Sequence, residues 1–325
     1  MTSTTTVLDT DPAPRSVAAP SRADVHEAWR RIFRHLGPSP LVPSPQLGLG
    51  TLLKVETLQP TGSFKVRGAL SALTLLPPDT EVVCASAGNH GLGVAHAASL
   101  LGLRARVVCP LRASPAKIEA LRRLRASLVL HGETYDEAEE HALELARREG
   151  SRYVSPYNDT QVIAGQGTLG LELLRQVRPP FTVVCPIGGG GLAAGVALAV
   201  SAVPGVRVVG VECEASAAMR ASLDAGRIVS VPVRATLADG LGGNLEPGTV
   251  TFALCQRYLA DVAVVAEEEI EEAVRFLVRA HGLVVEGAGA VAVAALLAGR
   301  VQSEGKAVAL VTGRNIDLRA LARLL

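Results

Sequence analysis
Short runs rich in valine recur along this 325-residue chain, and longer stretches of helical pattern lie between them. They fall at Leu52–Glu56, Glu81–Ser86, Ala105–Pro110, Ser127–Leu130, Thr182–Ile187, Val206–Glu212 and Ala307–Thr312. A strand that is apolar without alternation is buried on both faces, and parallel strands joined by helical crossovers achieve that burial. The pattern therefore predicts an α/β fold with mainly parallel sheets. The helices carry their own punctuation. Ser114 before Pro115 predicts an N-cap and first turn for a helix to about Arg125. A second helix is predicted from about Thr134 to a stop at Gly150. A third runs from Glu267-Glu268-Glu269 to His281-Gly282, with acids at its positive end and Ile270, Val274, Leu277 and Val278 as its apolar stripe. Hydrophobic residues make up 48% of the chain and aromatics only 3%, so the core must be mostly alanine, valine and leucine.

A formal net charge of +1 gives no field to gather nucleic acid or an anionic membrane, which leaves a small molecule as the expected partner. No apolar run is long and uninterrupted enough to span a bilayer. Residues 1–20 lack both the charged start and the apolar centre of a signal peptide, and are expected as a disordered arm. The five cysteines, at 84, 109, 185, 213 and 255, include no Cys-x-x-Cys pair, and four of them sit in or just after strand-like runs. That scatter predicts a reducing compartment, hence a cytoplasmic protein, without disulfides or structural zinc.

Three glycine-bearing turns follow predicted strands. Gly188-Gly189-Gly190-Gly191-Leu192-Ala193 opens a helix, and four glycines let backbone N–H groups approach a phosphate at a helix N-terminus. The same residues satisfy Gly-x-Gly-x-x-Ala, and Glu212 ends the next strand about 20 residues on, so this stretch alone also suits a nicotinamide dinucleotide. Ser86-Ala87-Gly88-Asn89-His90-Gly91 offers N–H groups and a hydroxyl for a carboxylate, and Val311-Thr312-Gly313-Arg314-Asn315 ends the last strand. Each of the latter two, taken alone, also reads as an ordinary strand-ending turn. Together, glycine loops at three strand ends have no packing reason visible in the sequence, which argues against a purely structural role.

Chemistry enters at Glu56-Thr57-Leu58-Gln59-Pro60-Thr61-Gly62-Ser63-Phe64-Lys65-Val66-Arg67-Gly68. A lysine between Phe64 and Val66 is partly desolvated, which lowers its pKa and frees its amine to attack an aldehyde. This stretch resembles the lysine motif of the serine/threonine dehydratase family, fold-type II pyridoxal-phosphate-dependent enzymes that include threonine ammonia-lyases and serine racemases. The resemblance runs from about residue 40 to 317. It takes in the three turns in family order and also Val162-Ile163-Ala164-Gly165-Gln166-Gly167-Thr168, Ala238-Asp239-Gly240-Leu241 and Glu286-Gly287-Ala288-Gly289-Ala290.

The resemblance implies two open, mainly parallel twisted sheets flanked by helices, as in tryptophan synthase β. It implies a large cofactor-binding domain over 21–70 plus 160–325, and a small inserted α/β domain over 71–159. Lys65 would bond the pyridoxal 5'-phosphate aldehyde and then take the Cα proton. Backbone N–H groups of Gly188, Gly189, Gly190, Gly191 and Leu192 would cradle the phosphate. Phe64 would pack beside the ring, Asn89 would contact its hydroxyl, Thr312 its pyridine nitrogen, and Glu286 would lie nearby. Ser86, itself a catalytic candidate, would hold the substrate carboxylate with Ala87, Gly88, Asn89 and His90. The implied activity is α,β-elimination from a β-hydroxy amino acid, L-threonine or L-serine first, to a 2-oxo acid and ammonia, in a homodimer.

Departures from the family refine this. Racemases carry a serine at the position of Ala87, and alanine has no proton to give, so racemisation is not expected. Glu212 matches one ligand of the racemase cation site, but Ala218 stands where an aspartate would, so no metal is assigned. Arg314 replaces a usual glycine or alanine, and with the sequence stopping just after the Thr312 motif the C-terminal regulatory domain of feedback-inhibited relatives is not expected. Two alternatives stand beside the main reading. One is elimination or β-replacement on a bulkier amino acid, such as a phenylserine or hydroxyaspartate, decided by Leu241, Gly242, Gly243 and Asn244. The other is a nicotinamide- or nucleotide-binding protein.

Overall fold
The computed structural model describes residues 15–113, 115–303 and 305–325. The N-cap expected at Ser114 and residues 1–14 of the expected arm lie outside that range. Its strands are β1 (Leu41–Pro43), β2 (Leu52–Val55), β3 (Glu81–Ala85), β4 (Arg104–Cys109), β5 (Ser127–Leu130), β6 (Arg152–Tyr153), β7 (Phe181–Pro186), β8 (Val206–Cys213), β9 (Asp261–Val265) and β10 (Lys306–Val311). Helices α1 (Arg22–Ile32), α2 (Lys65–Leu73), α3 (Asn89–Leu101), α4 (Pro115–Arg123), α5 (Tyr135–Glu149) and α6 (Thr160–Gln176) come first. They are followed by α7 (Gly191–Val200), α8 (Ala218–Ala225), α9 (Val250–Tyr258), α10 (Glu267–His281), α11 (Gly287–Leu297) and α12 (Leu318–Leu324).

Each strand expected from the valine-rich runs forms, with ends displaced by at most one residue. Three others carried weaker signals. β1 and β6 are only three and two residues long. β9 is separated from α10 by Ala266 alone, so no turn marks its end. The predicted helix ends are also where local chemistry puts them. Thr134 and Glu137 close a reciprocal capping box at the start of α5, and Gly150 and Gly282 end α5 and α10 in the left-handed conformation.

The strands make two sheets, ordered β1-β2-β10-β7-β8-β9 and β5-β4-β3-β6. Every pairing is parallel except β1 with β2. Both faces of each sheet are covered, as the non-alternating sequences require. In β10, Ala309 and Val311 face a core shared with α10 and α11, while Val308 and Leu310 face one shared with α6, α7 and α9. In β3, Val82 and Cys84 face α2 and α3, while Val83 and Ala85 face α5. Helix α7 is buried on all sides, which is why its sequence shows no polar stripe. The arm expected to be disordered is docked where it is described. Arg15 pairs with Glu246, and the Ala18 carbonyl accepts from Thr160 Oγ1 at 2.6 Å. Among the described residues no helix is long and apolar enough to cross a membrane.

Candidate active site
Connectivity decides where the crevices lie. In the larger sheet the chain steps from β7 outward through β8 and β9, and then returns to lay β10 on the other side of β7. In the smaller sheet it steps from β3 through β4 to β5 and returns to lay β6 on the other side of β3. Such reversals leave open crevices at the carboxyl ends of the strands on either side. The segments leaving those four ends are Ile187–Gly191, Thr312–Asn315, Ser86–Asn89 and Val154–Asn158, and hydrogen bonds and packing tie them together.

Lys65 opens α2, and the loop before it is clamped to the segment after β10. Ser63 bridges Gly313, Phe64 N donates to Thr312 O at 3.0 Å, and Arg314 N donates to Gly62 O at 2.9 Å. The Lys65 amine donates to Pro156 O at 2.9 Å and lies 5.3 Å from the centre of the Phe64 ring. Burial brings its pKa down from 10.5 to about 8, only partly offset by the Glu286 carboxylate. About a tenth of this amine is therefore uncharged at pH 7, far more than for an ordinary lysine, as a nucleophile or base requires.

Asn89 starts α3, whose first turn has no side-chain cap. Its amide is already committed: Nδ2 donates to Glu286 Oε1 at 2.5 Å, and Oδ1 accepts from Asn315 Nδ2 at 2.6 Å. Burial pushes the Glu286 carboxyl up to about 7, against the Asn89 hydrogen bond. Ser86 Oγ accepts from Gly88 N at 3.0 Å, steadying the turn, while Ala87 and Gly88 are half-buried. The His90 ring points away from any carboxylate role. It is buried, its Nε2 lies 2.8 Å from Val154 O, and burial beside the Lys65 cation lowers its pKa to about 3. A neutral ring donating to that carbonyl follows, so only the backbone N–H of His90 could serve an anion.

The glycine loop corrects one expectation. Its glycines do have packing reasons. A Cβ on Gly189 would lie 2.3 Å from the Tyr157 ring, and one on Gly313 would lie 1.9 Å from Glu286 Oε1. Gly190, at φ +86°, adopts a backbone that other residues strain to reach. Packing and anion binding are compatible here. The first turn of α7 has no side-chain cap, so its donors remain available, while the Leu192 side chain is buried in the core. Arg314 is no obstruction, since its side chain is exposed and lies across Gly62. Asn244, assigned to the acyl pocket, is exposed and spent on Val231 N and O. Glu212 caps α8 by accepting from Met219 N and Arg220 N at 2.9 and 2.7 Å, and burial raises its pKa to about 7. Among the described residues no group of three or more histidine, cysteine, aspartate or glutamate side chains is placed to hold a metal.

Two supports escaped the sequence reading. Arg67, on the helix that Lys65 opens, belongs to a quartet of buried charges. Arg67 binds Glu56 through Nε and Nη2 at 2.7 and 2.8 Å and Glu172 through Nη2 at 2.8 Å, and Lys54 pairs with Glu172. Burial disfavours the Arg67 charge, but the Glu56 and Glu172 carboxylates outweigh it and hold the guanidinium charged. The second support is the Val154–Asn158 turn, hidden because β6 is so short. Its signal was the Ser155-Pro156-Tyr157-Asn158 stretch itself, with the turn chemistry of Ser, Pro and Asn.

A phosphorylated aldehyde fits these residues. The amine of lowered pKa is present, and so is an uncapped helix N-terminus beside a glycine loop. Buried hydroxyls of Thr61 and Ser63, just before the lysine, have no hydrogen-bond partner. Comparison with known proteins agrees. The profile of the family described as pyridoxal-phosphate dependent enzyme matches residues 32–313. The L-threonine ammonia-lyase of Thermotoga maritima is 42% identical over 311 residues, 93% of this chain and 77% of that one. The crystal structure of the T.th. threonine deaminase superposes with TM-score 0.85 at 40% identity, covering 92% of this chain and 99% of that one. Maize serine racemase superposes with TM-score 0.87 at 30% identity, covering 94% and 97%. With the family profile spanning all four converging strand ends, this chain belongs to the pyridoxal-phosphate-dependent enzymes.

Proposed function
We propose that this enzyme is an ammonia-lyase that eliminates water from a β-hydroxy amino acid, L-threonine or L-serine first, and yields a 2-oxo acid and ammonia. The observation that carries the reading is the Lys65 amine, brought to a pKa of about 8 by burial at the meeting point of the four strand ends. Relatives named for threonine deamination, at about 40% identity over most of the chain, point to the substrate.

In this reading the uncapped start of α7 holds the cofactor phosphate through the N–H groups of Gly189, Gly190, Gly191 and Leu192, with Gly188 leading in. Lys65 would bond the aldehyde, with Phe64 beside the ring and the Thr312 hydroxyl available to its pyridine nitrogen. Asn89, oriented by Glu286 and Asn315, would offer its second Nδ2 N–H to the ring hydroxyl. The bound cofactor supplies an electron sink for the Cα carbanion. The protein does the rest. The uncapped first turn of α3 and the Ser86 hydroxyl hold the substrate carboxylate, which fixes the Cα–H bond toward Lys65. The Lys65 amine would then take the Cα proton, and that proton and the departing β-hydroxide together make up the water that is lost. Ala87 offers only a methyl group on its side, so no proton returns from there and elimination wins over racemisation. The reading extends to a homodimer and to the cytoplasm, the latter supported by five cysteines that are all free and buried.

The test is the visible spectrum of the purified protein with and without L-threonine or L-serine. A yellow band that changes on addition while 2-oxo acid accumulates is the expected result. A band that ignores both amino acids would overturn the substrate assignment.

A further inference from the structure
We propose that Arg15 and Glu246 form a latch that positions the Ser155–Asn158 turn and, through it, the glycine loop assigned to the cofactor phosphate. The proposal rests on that assignment. The turn touches both halves of the site: Pro156 O accepts from the Lys65 amine at 2.9 Å, and the Tyr157 ring packs on Gly189. Little holds the turn from its own sheet, because the strand leading into it spans two residues and contributes few ladder bonds.

Glu246 holds it from the side. Its carboxylate accepts from Asn158 Nδ2 at 2.9 Å, and its backbone N–H donates to the Tyr157 hydroxyl at 3.0 Å. Asn158 Oδ1 in turn accepts from Val250 N at 3.3 Å, and the next residue, Thr251, donates its hydroxyl to Gly189 O at 2.7 Å. Turn, α9 and glycine loop are thus one hydrogen-bonded unit with the Glu246 carboxylate on its outer side. Arg15 closes that side. Its Nε and Nη2 donate to the two oxygens of Glu246 at 2.7 and 2.5 Å, and its guanidinium lies 5.1 Å from the centre of the Tyr153 ring. Nη2 also reaches Ser155 Oγ at 3.3 Å. A two-pronged pair of this kind, half-shielded from water, fixes orientation as well as charge. Arg15 and Glu246 are positioning residues, since neither touches the reacting atoms.

The experiment follows the loss of pyridoxal phosphate from the full-length holoenzyme on dialysis, read from the visible band. Urea midpoints of the cofactor-free proteins are measured alongside. Arg15→Gln should release the cofactor about fivefold faster, and Arg15→Lys should fall between, because an ammonium keeps the charge and loses the fork. Glu246→Gln, which keeps an acceptor for Asn158 Nδ2 and loses the charge, should release the cofactor at a rate similar to Arg15→Gln, and the double variant Arg15→Gln/Glu246→Gln should be no faster than either, as one shared interaction requires. Release unchanged in Arg15→Gln overturns the latch, whether or not the urea midpoint moves, since a purely structural contact lowers that midpoint alone. Fully additive effects of the two substitutions in the double variant also overturn it. Wild-type protein that retains no pyridoxal phosphate would instead sink the phosphate-loop assignment, so the two failures are distinguishable.

Discussion

The segment that leads into Lys65 and the helix it opens carry two groups of buried polar side chains that are treated in opposite ways. On one side, Lys54, Glu56, Arg67 and Glu172 are all but sealed from solvent, and every one of them is paired. Ser39, Thr168 and Gln176 fill in around them with further hydrogen bonds. On the other side, Gln59 Nε2, Thr61 Oγ1 and Ser63 Oγ are equally buried and have no partner. An unsatisfied buried polar group costs about 1–3 kcal/mol, so this second group is a standing loss to stability. The first arrangement fixes the backbone that carries the lysine. The second keeps donors and acceptors in reserve beside it, which is what a binding site needs and a scaffold avoids.

The largest effect should come from the lysine that this segment carries. Lys65→Ala should lower turnover by about 10⁴-fold and keep the circular-dichroism spectrum of the parent. Near wild-type 2-oxo acid formation in that variant would remove Lys65 as the base. Next comes the paired side. Arg67→Ala strands Glu56 and Glu172 without their cation and should cost about 3–5 kcal/mol in urea unfolding. A loss under about 1 kcal/mol would mean the quartet is no more than a surface-grade pair.

The unpaired side should respond in the opposite sense. Ser63→Ala removes a hydroxyl that bonds nothing, so stability should hold or improve by up to about 1 kcal/mol while turnover falls. Thr312→Ala should slow elimination about tenfold, the worth of one hydrogen bond, without affecting folding. If Ser63→Ala destabilises and leaves turnover intact, the contrast between the two sides is broken.

Titration gives a subtler test in the cofactor-free protein. The Glu286 carboxyl ionises at about 7 when folded rather than 4.5, so between those values the native state keeps a proton that the unfolded chain has lost. Stability should therefore fall as pH rises across that window, and Glu286→Gln should flatten the slope. Lys65 runs the other way. Its folded value of about 8 lies below 10.5, so the unfolded chain holds the extra proton between them and stability should rise across that range. Urea midpoints measured from about pH 4 to 10.5 for the parent, Glu286→Gln and Lys65→Met check both signs. The smallest expected signal is a trace of D-amino acid from Ala87→Ser, detected by chiral chromatography. Its complete absence would show that a hydroxyl at that position is not enough.

What the residues determine on their own is local. Runs such as Phe181–Pro186 and Lys306–Val311 announce strands because valine on both faces suits a pleated, doubly covered ribbon, and Thr134 with Glu137 announces a helix start because two side chains satisfy two orphan N–H groups. Lys65 stood out for the same reason, since Phe64 and Val66 already foretell a desolvated amine. The rest depended on partners far away in the chain. Lys54 meets Glu172 across 118 residues and Arg15 meets Glu246 across 231, and no periodicity or spacing encodes either pair. Gly189 and Gly313 looked free of packing duties until Tyr157 and Glu286 arrived against them. His90 looked available to a substrate until Val154 claimed its ring. Backbone propensity and side-chain chemistry act over a few residues and can be read along the chain. Burial, pairing and pKa are properties of what the fold brings together, and only the tertiary structure decides them.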